Sequence, residues 1–249
     1  MNDKPLVGLN IVITRPAGTG HALAARLREL GAAVLHFPAI VIEPQPLSPL
    51  SRCLLDELAR FDFAIFISPS AVTRLFSVFR RLWPAHTRPA AVGAATARAL
   101  RYEVLADVLE PPVGAGAGAD ALLALPAFAE LTSRRVLIFG GEGGRPELAA
   151  ELIRRGASVD KIALYRRAPP ADLGSLRFWL DTHAPAALIA TSVTALDHLN
   201  GIGADAQLVA PSPRVVKHAD LLGYKHIIQA SDAGDAALIA ALMDHWKRA

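Results

Sequence analysis

A long internal repeat constrains the fold of this chain more than any other feature of its sequence. Residues 11–44 align with residues 136–169 without a gap, at a constant offset of 125 residues, and ten of the aligned positions are identical. This period is too long for a solenoid, whose repeats usually span about 20 to 50 residues. The sequence therefore predicts two similar halves, each large enough to fold as a domain.

Short apolar runs alternate with helical segments in both halves. In the first half, a β-branched run over 10–14 precedes a turn and a helix over 21–30. In the second half, a strand over 135–139 precedes a helix over 146–155. Apolar strands that alternate with helices are typical of parallel sheets covered on both faces. The predicted fold class is α/β, with two small doubly wound, flavodoxin-like domains and a cleft between them.

Two extended stretches occupy equivalent places in the repeat, residues 33–42 and 157–167. Several Pro residues in and just after the first stretch disfavour a helix there. We expect the two stretches to pair as a two-stranded connector between the domains.

The composition is that of a globular protein without Cys-based sites. The chain has 249 residues, 52% of them hydrophobic, and a single Cys, Cys53, which leaves no disulfide framework and fits a reducing cytoplasm. The N-terminus lacks a signal-peptide pattern, and no run of 18 apolar residues predicts a membrane span. The net charge of +3 suggests mild attraction to anions, but the Lys and Arg residues are scattered, so nucleic-acid binding is not predicted.

The familiar cofactor and metal motifs are absent from the sequence. The glycine-rich turn over 140–144 has Pro146 where a dinucleotide motif needs its third Gly, and no Gly-Lys-Ser/Thr follows it. A tight turn is therefore favoured over a nucleotide site, although its N–H groups can still bind an anion. The eight His residues lack metal-ligand spacing. Neither a cofactor nor a metal is predicted.

Hydroxyl side chains recur where predicted strands lead into helices, and each could be a helix N-cap. Their recurrence at equivalent turns of both halves instead favours a donor-lined site for a ligand with several carboxylates. Tyr165 is unusual because it lies beside Arg166 and Arg167, where the repeat places the apolar Ile40. It is either a packing residue or a proton donor. The hydroxyl residues are Thr14, Ser68, Ser70, Thr96, Thr191, Ser192, Thr194 and Ser212.

Taken in order, several short motifs resemble those of the uroporphyrinogen-III synthase family across essentially the whole chain. Each motif is weak alone, but their order and spacing are specific. The motifs are Val12-Ile13-Thr14-Arg15-Pro16, Phe37-Pro38, Phe66-Ile67-Ser68-Pro69-Ser70-Ala71-Val72, Val92-Gly93-Ala94-Ala95-Thr96-Ala97, Gly140-Gly141-Glu142-Gly143-Gly144-Arg145, Ala163-Leu164-Tyr165 and Thr191-Ser192.

The resemblance implies that one domain is built from both chain ends. Its expected ranges are 1–35 with 169–249 for the first domain, 43–160 for the second, and 36–42 with 161–168 for the connector strands. The implied activity is that of a hydro-lyase of porphyrin and heme biosynthesis. It cyclises and dehydrates hydroxymethylbilane, inverts ring D and releases uroporphyrinogen III, without cofactor or metal.

The resemblance also implies a set of site residues and partners. Tyr165 matches the family's tyrosine and is the expected proton donor, whereas Pro213 stands where some members carry a hydroxyl. The expected partner is a polycarboxylate linear tetrapyrrole, handed over by hydroxymethylbilane synthase to a cytoplasmic monomer. The substrate-binding residues implied are Arg15, Ser68, Ser70, Thr96, Gly140, Gly141, Thr191, Ser192, Ser212 and Arg214.

Two other functions remain open on the sequence alone. One is a non-catalytic module of the same fold that binds a tetrapyrrole precursor. The other is an unrelated two-domain anion-binding enzyme, such as a nucleotide-using transferase, against which the failed phosphate motifs count.

Overall fold

The computed structural model describes residues 4–104, 107–116, 118–144 and 146–246. The chain divides into two compact units. The first unit takes the residues up to Val41 together with those from Ala168 onward, and the second unit is Ile42–Arg167. The domain boundaries and connector strands expected from the resemblance stay a prediction.

The described residues form ten strands and ten α-helices, which alternate along most of the chain. The strands are β1 Asn10–Ile13, β2 Ala33–His36, β3 Val41–Pro44, β4 Phe63–Phe66, β5 Arg88–Ala91, β6 Arg135–Gly141, β7 Ser158–Ala168, β8 Ala186–Ile189, β9 Gln207–Ala210 and β10 His226–Gln229. The helices are α1 His21–Glu29, α2 Pro49–Asp56, α3 Pro69–Val78, α4 Ala94–Glu103, α5 Ala119–Leu123, α6 Glu147–Arg154, α7 Leu173–Thr182, α8 Val193–Leu199, α9 Pro213–Leu221 and α10 Asp235–Trp246.

Each unit is built on a five-stranded sheet. The first sheet has the order β10-β9-β8-β1-β2, and its neighbouring strands pair in parallel. Counted along the unit this is the order 2-1-3-4-5, in which the winding direction reverses between β1 and β8. The second sheet has the order β3-β7-β6-β4-β5. Its β5, β4, β6 and β7 repeat the same arrangement in parallel, so the reversal falls between β4 and β6.

The sequence repeat is reproduced in the pairing of the strands. In the first unit Ile11 of β1 pairs with Val34 of β2, and in the second unit Val136 of β6 pairs with Val159 of β7. Each residue of the second pair therefore lies 125 positions after its counterpart in the first pair, which is the offset found in the sequence. The prediction of two α/β units on parallel sheets is confirmed.

Two glycines of the repeat end equivalent helices. Gly31 follows α1 with φ of +98° and Gly156 follows α6 with φ of +94°, a left-handed conformation that glycine adopts without a steric penalty. A Cβ at Gly31 would lie 2.7 Å from a methyl of Val7, and one at Gly156 would lie 3.0 Å from the backbone of Thr132. Both positions therefore need glycine, because the backbone is left-handed there and a side chain would clash with a neighbouring segment.

Apolar side chains cover both faces of the second sheet. One face packs Phe66 and Phe139 against α3 and α4, and the other packs Ile65 and Ile138 against α5 and α6. In the first unit, α1 and α10 pack on the face of the sheet that carries Ile11. These buried layers hold the carboxyl ends of the strands in fixed positions.

Burial of a phenol in the first unit gives a testable pH dependence. Burial raises the pKa of Tyr224 to about 12, and its hydroxyl donates to the Ile202 carbonyl oxygen at 2.9 Å. Because the folded pKa lies above the ordinary value of about 10, this group's stabilisation is complete below pH 10 and is lost as the pH rises through 12. We expect phenolate absorbance to show a titration near pH 12 that disappears in Tyr224→Phe. Identical titration curves for the two proteins would contradict this assignment.

Candidate active site

Ser68 begins helix α3 directly after strand β4. Its backbone is extended, with φ of −166° and ψ of 157°, and its Oγ accepts a hydrogen bond from the Ala71 N–H at 3.1 Å. Pro69 occupies the first turn, where its fixed φ suits a helix and its missing N–H costs nothing. The Ser-Pro pair therefore sets a helix N-terminus at the carboxyl edge of the second sheet.

A β-bulge places Tyr165 at the same edge. Gly140 of β6 pairs with Ala163 of β7, but Gly141 pairs with Tyr165, so β7 carries one extra residue, Leu164. Leu164 and Tyr165 are consequently both buried, although neighbouring residues of a regular strand point to opposite faces. Bulges commonly re-aim side chains in this way.

The phenol ring of Tyr165 lies against Gly141 and reaches Ser68. A Cβ on Gly141 would be 2.5 Å from Tyr165 Cε2, so only glycine leaves room for the ring. Tyr165 Oη and Ser68 Oγ are 2.9 Å apart, within hydrogen-bond distance. The guanidinium carbon of Arg167 lies 5.8 Å from the ring centre, which places a positive charge beside the phenol.

The other predicted residues of the second unit lie at the ends of neighbouring strands. Because Phe66 pairs with both Ala91 and Phe139, the chain segments that follow these three residues emerge at one edge. Ser70 is half-buried in the first turn of α3, and Thr96 is buried in α4, after β5. Gly140 could not be alanine without displacing Ile67, because a Cβ there would lie 2.5 Å from the Ile67 side chain.

The first unit presents a similar edge. Thr191 and Ser192 follow β8, and the Ser192 Oγ accepts from the Ala195 N–H at 3.2 Å. Ser212 follows β9 and caps α9 through the Val215 N–H at 3.5 Å, and Arg214 is exposed one residue after Pro213.

Arg15 also lies at this edge, but its guanidinium is bound within the unit. It donates to the Asp235 carboxylate at 2.6 Å and to the Ala233 carbonyl oxygen at 2.6 Å, and its side chain is only 16% exposed. Arg15 thus ties the end of β1 to the start of α10. A role for Arg15 in binding a substrate carboxylate stays a prediction.

Histidines at the edge of the first unit were not singled out from the sequence. His36 ends β2 and its Nε2 donates to the Arg15 carbonyl oxygen at 2.9 Å, while its ring meets that of His21 edge-on at 5.6 Å between centres. The signal that could have found His36 is its place as a polar residue within the extended stretch predicted over 33–42. Among the described residues, no group of three His, Cys, Asp or Glu side chains could hold a metal ion.

Comparisons with known proteins identify the family of the chain. A family model described as "Uroporphyrinogen-III synthase HemD" matches residues 21–240. The chain belongs to the uroporphyrinogen-III synthase family. The uroporphyrinogen-III synthase of Salmonella typhimurium strain LT2 is 31% identical over 94% of this chain and 100% of that protein, and that of Escherichia coli K12 is 30% identical over the same shares.

Solved structures show the same fold at low identity. The crystal structure of uroporphyrinogen-III synthetase from Helicobacter pylori 26695 superposes with a TM-score of 0.63. It is 14% identical, and the match covers 95% of this chain and 99% of that one. The two-unit α/β architecture is therefore that of the family.

Proposed function

We propose that this chain is a uroporphyrinogen-III synthase, a lyase that cyclises and dehydrates hydroxymethylbilane with inversion of ring D. Its membership of the family over nearly its full length carries the proposal. The geometry supports it, because hydroxyl groups and a phenol gather at the carboxyl edges of parallel sheets, where ligands of doubly wound folds bind.

The N-cap serines are suited to binding carboxylates. A hydroxyl has one proton and two acceptor positions. When Ser192 or Ser212 accepts a backbone N–H as an N-cap, its own proton remains free to donate to a carboxylate oxygen. We assign the same donor role to Ser70, Thr96 and Thr191, and charge pairing to Arg214.

Control of the product lies in holding the substrate in one conformation. Ring closure without the enzyme gives the non-inverted type I isomer, so orientation by several donors is the main contribution of the protein. Departure of the hydroxyl as water also needs a proton, and Tyr165 is the proposed source of it. The backbone of Gly140 and Gly141 lines the turn next to that phenol.

The decisive experiment supplies hydroxymethylbilane generated in the cuvette and separates the oxidised isomers by chromatography. We expect type III product at a rate proportional to protein concentration, and a slower rate in Tyr165→Phe. Formation of type I product alone, at the rate of the protein-free blank, would refute the synthase activity. The chain would then be a non-catalytic module that binds a tetrapyrrole precursor.

We also assign the chain a monomeric, cytoplasmic setting in which hydroxymethylbilane synthase hands over the substrate. The single Cys supports a reducing compartment such as the cytoplasm. Because the substrate closes spontaneously in solution, direct transfer from one enzyme to the other would limit formation of the type I isomer. In the part of the chain that the structure describes, no helix is both long and apolar enough to cross a membrane. Light scattering and co-elution with hydroxymethylbilane synthase test these points.

A further inference from the structure

The hydroxyl of Ser68 has a more specific position than that of the other N-cap serines. Its Oγ accepts the Ala71 N–H and also lies 2.9 Å from the phenolic oxygen of Tyr165. The equivalent cap of the first unit, Ser192, contacts its own helix through Ala195, and the repeat places Ile40 where the second unit has Tyr165. A serine paired with a phenol is thus a feature of the second unit's turn.

The direction of the hydrogen bond follows from which groups are buried. Tyr165 is only 1% exposed, and Ser68 is the one described residue that partners its hydroxyl. A buried donor is almost always satisfied, so the phenol donates its proton to Ser68 Oγ. With the Ala71 N–H and the phenol both donating, the two acceptor positions of Oγ are filled. The proton of Ser68, which is half-buried, remains free to donate outward.

We propose that Ser68 is the group that delivers a proton to the departing hydroxyl of the substrate, and that Tyr165 acts through Ser68 as the source of a second proton. The proposal rests on the synthase activity proposed above and assigns a different catalytic group within it. Ser68 would then be the catalytic acid, and Tyr165 a positioning and proton-supplying residue behind it.

The proton transfers balance without any further reactant. Ser68 Oγ gives its proton to the leaving oxygen, the C–O bond breaks with its electron pair on that oxygen, and water departs. The phenol proton moves to Ser68 Oγ and leaves a phenolate beside the Arg167 guanidinium, which lies 5.8 Å from the ring centre. When the inverted terminal ring closes the macrocycle through its unsubstituted carbon, that carbon loses a proton, which returns through Ser68 to the phenolate.

The transfer of protons from Tyr165 through Ser68 to the substrate, here called the relay, is tested by comparing the rates of single and double variants. For type III formation, we expect Ser68→Ala to lower kcat by about 100-fold or more, within the range for loss of a general acid, and Tyr165→Phe to lower it by about tenfold. The double variant should be no slower than Ser68→Ala, because the phenol acts only through the serine. Ser68→Thr keeps the hydroxyl and should retain most of the rate.

Mixtures of H2O and D2O give a readout that a purely structural role would not change. We expect the wild-type kcat to depend on the deuterium fraction along a curve, since two protons move, and Tyr165→Phe to show a straight line. A Tyr165→Phe variant slower than Ser68→Ala, or losses that multiply in the double variant, would overturn the relay. A wild-type chain that forms only type I product would instead refute the synthase activity, and the relay with it.

Ser68→Ala also removes a helix N-cap, and a second serine variant controls for the effect of that loss on stability. Ser48 caps α2 in the same way, through the Ser51 N–H at 3.0 Å, and has no phenol partner among the described residues. We expect Ser48→Ala and Ser68→Ala each to lower Tm by about a few degrees, and Ser48→Ala to leave kcat unchanged. If Ser68→Ala does not fold, Ser68→Gly serves in its place, because glycine is a nearly equivalent N-cap without a hydroxyl.

Discussion

Gly141→Ala is expected to lower the free energy of unfolding by about 1 to 3 kcal/mol, as overpacking of a core does, and to lower the rate of type III formation by about tenfold, as Tyr165→Phe is expected to do. The new methyl would lie 2.5 Å from Cε2 and 2.8 Å from Cζ of Tyr165. Strand β6 cannot retreat, because it is paired with β4 on one side and β7 on the other. The ring must therefore move away from Ser68, and a displaced phenol no longer supplies a proton to the serine, as in Tyr165→Phe.

Gly144→Ala is the matched control, since it changes the same turn by the same methyl. Its Cβ would meet the Gly141 carbonyl oxygen at 3.5 Å and Ile67 at 3.7 Å, which are ordinary contacts. Urea unfolding and the isomer assay should place this variant close to the wild type. A Gly141→Ala variant with the stability and rate of Gly144→Ala would show that the ring does not depend on this contact.

Phe66→Ala is expected to destabilise the second unit by about 3 to 5 kcal/mol, the usual cost of removing a buried ring and leaving a cavity. Phe66 is 0% exposed and its ring centre lies 4.8 Å from that of Phe139 and 6.0 Å from that of Trp83. Because Phe66 ends β4 two residues before Ser68, the loss of packing also loosens the N-terminus of α3. Urea unfolding followed by tryptophan fluorescence measures the change.

The comparison for that variant is Phe178→Ala, which deletes the same ring from the exposed side of α7. Phe178 is 70% exposed, so we expect a change of at most about 0.5 kcal/mol. Equal effects of the two substitutions would contradict the assignment of Phe66 to the core.

The elements of the fold follow from local sequence patterns to a large extent. The helix predicted over residues 21–30 is observed as His21–Glu29, and the strand predicted over 135–139 extends to Gly141. These segments are predictable because apolar periodicity and the glycines that end helices act over a few residues. The repeat adds a long-range constraint, since it predicts that both β-α-β segments share one geometry.

The arrangement around Tyr165 could not be predicted in this way. Regular alternation along β7 would put Leu164 and Tyr165 on opposite faces, and the bulge that brings them to one face has no signature in neighbouring residues. The contact with Ser68 joins residues 97 positions apart. The ion pair of Arg15 with Asp235 spans 220 positions, so the sequence could suggest that Arg15 binds a carboxylate but not which one.

The division of the chain also has a consequence for folding during synthesis on the ribosome. The second unit is continuous, so all of its strands have been made once Arg167 has been added. The sheet of the first unit cannot form until later, because Ile11 of β1 pairs with Ala187 of β8 and the remaining strands of this sheet are made after β8. Closing so long a loop slows folding. The nascent β1–α1–β2 segment therefore keeps uncovered, throughout translation of the second unit, the apolar face that later packs on Ala187 and Leu238, and we expect chaperones to bind it there.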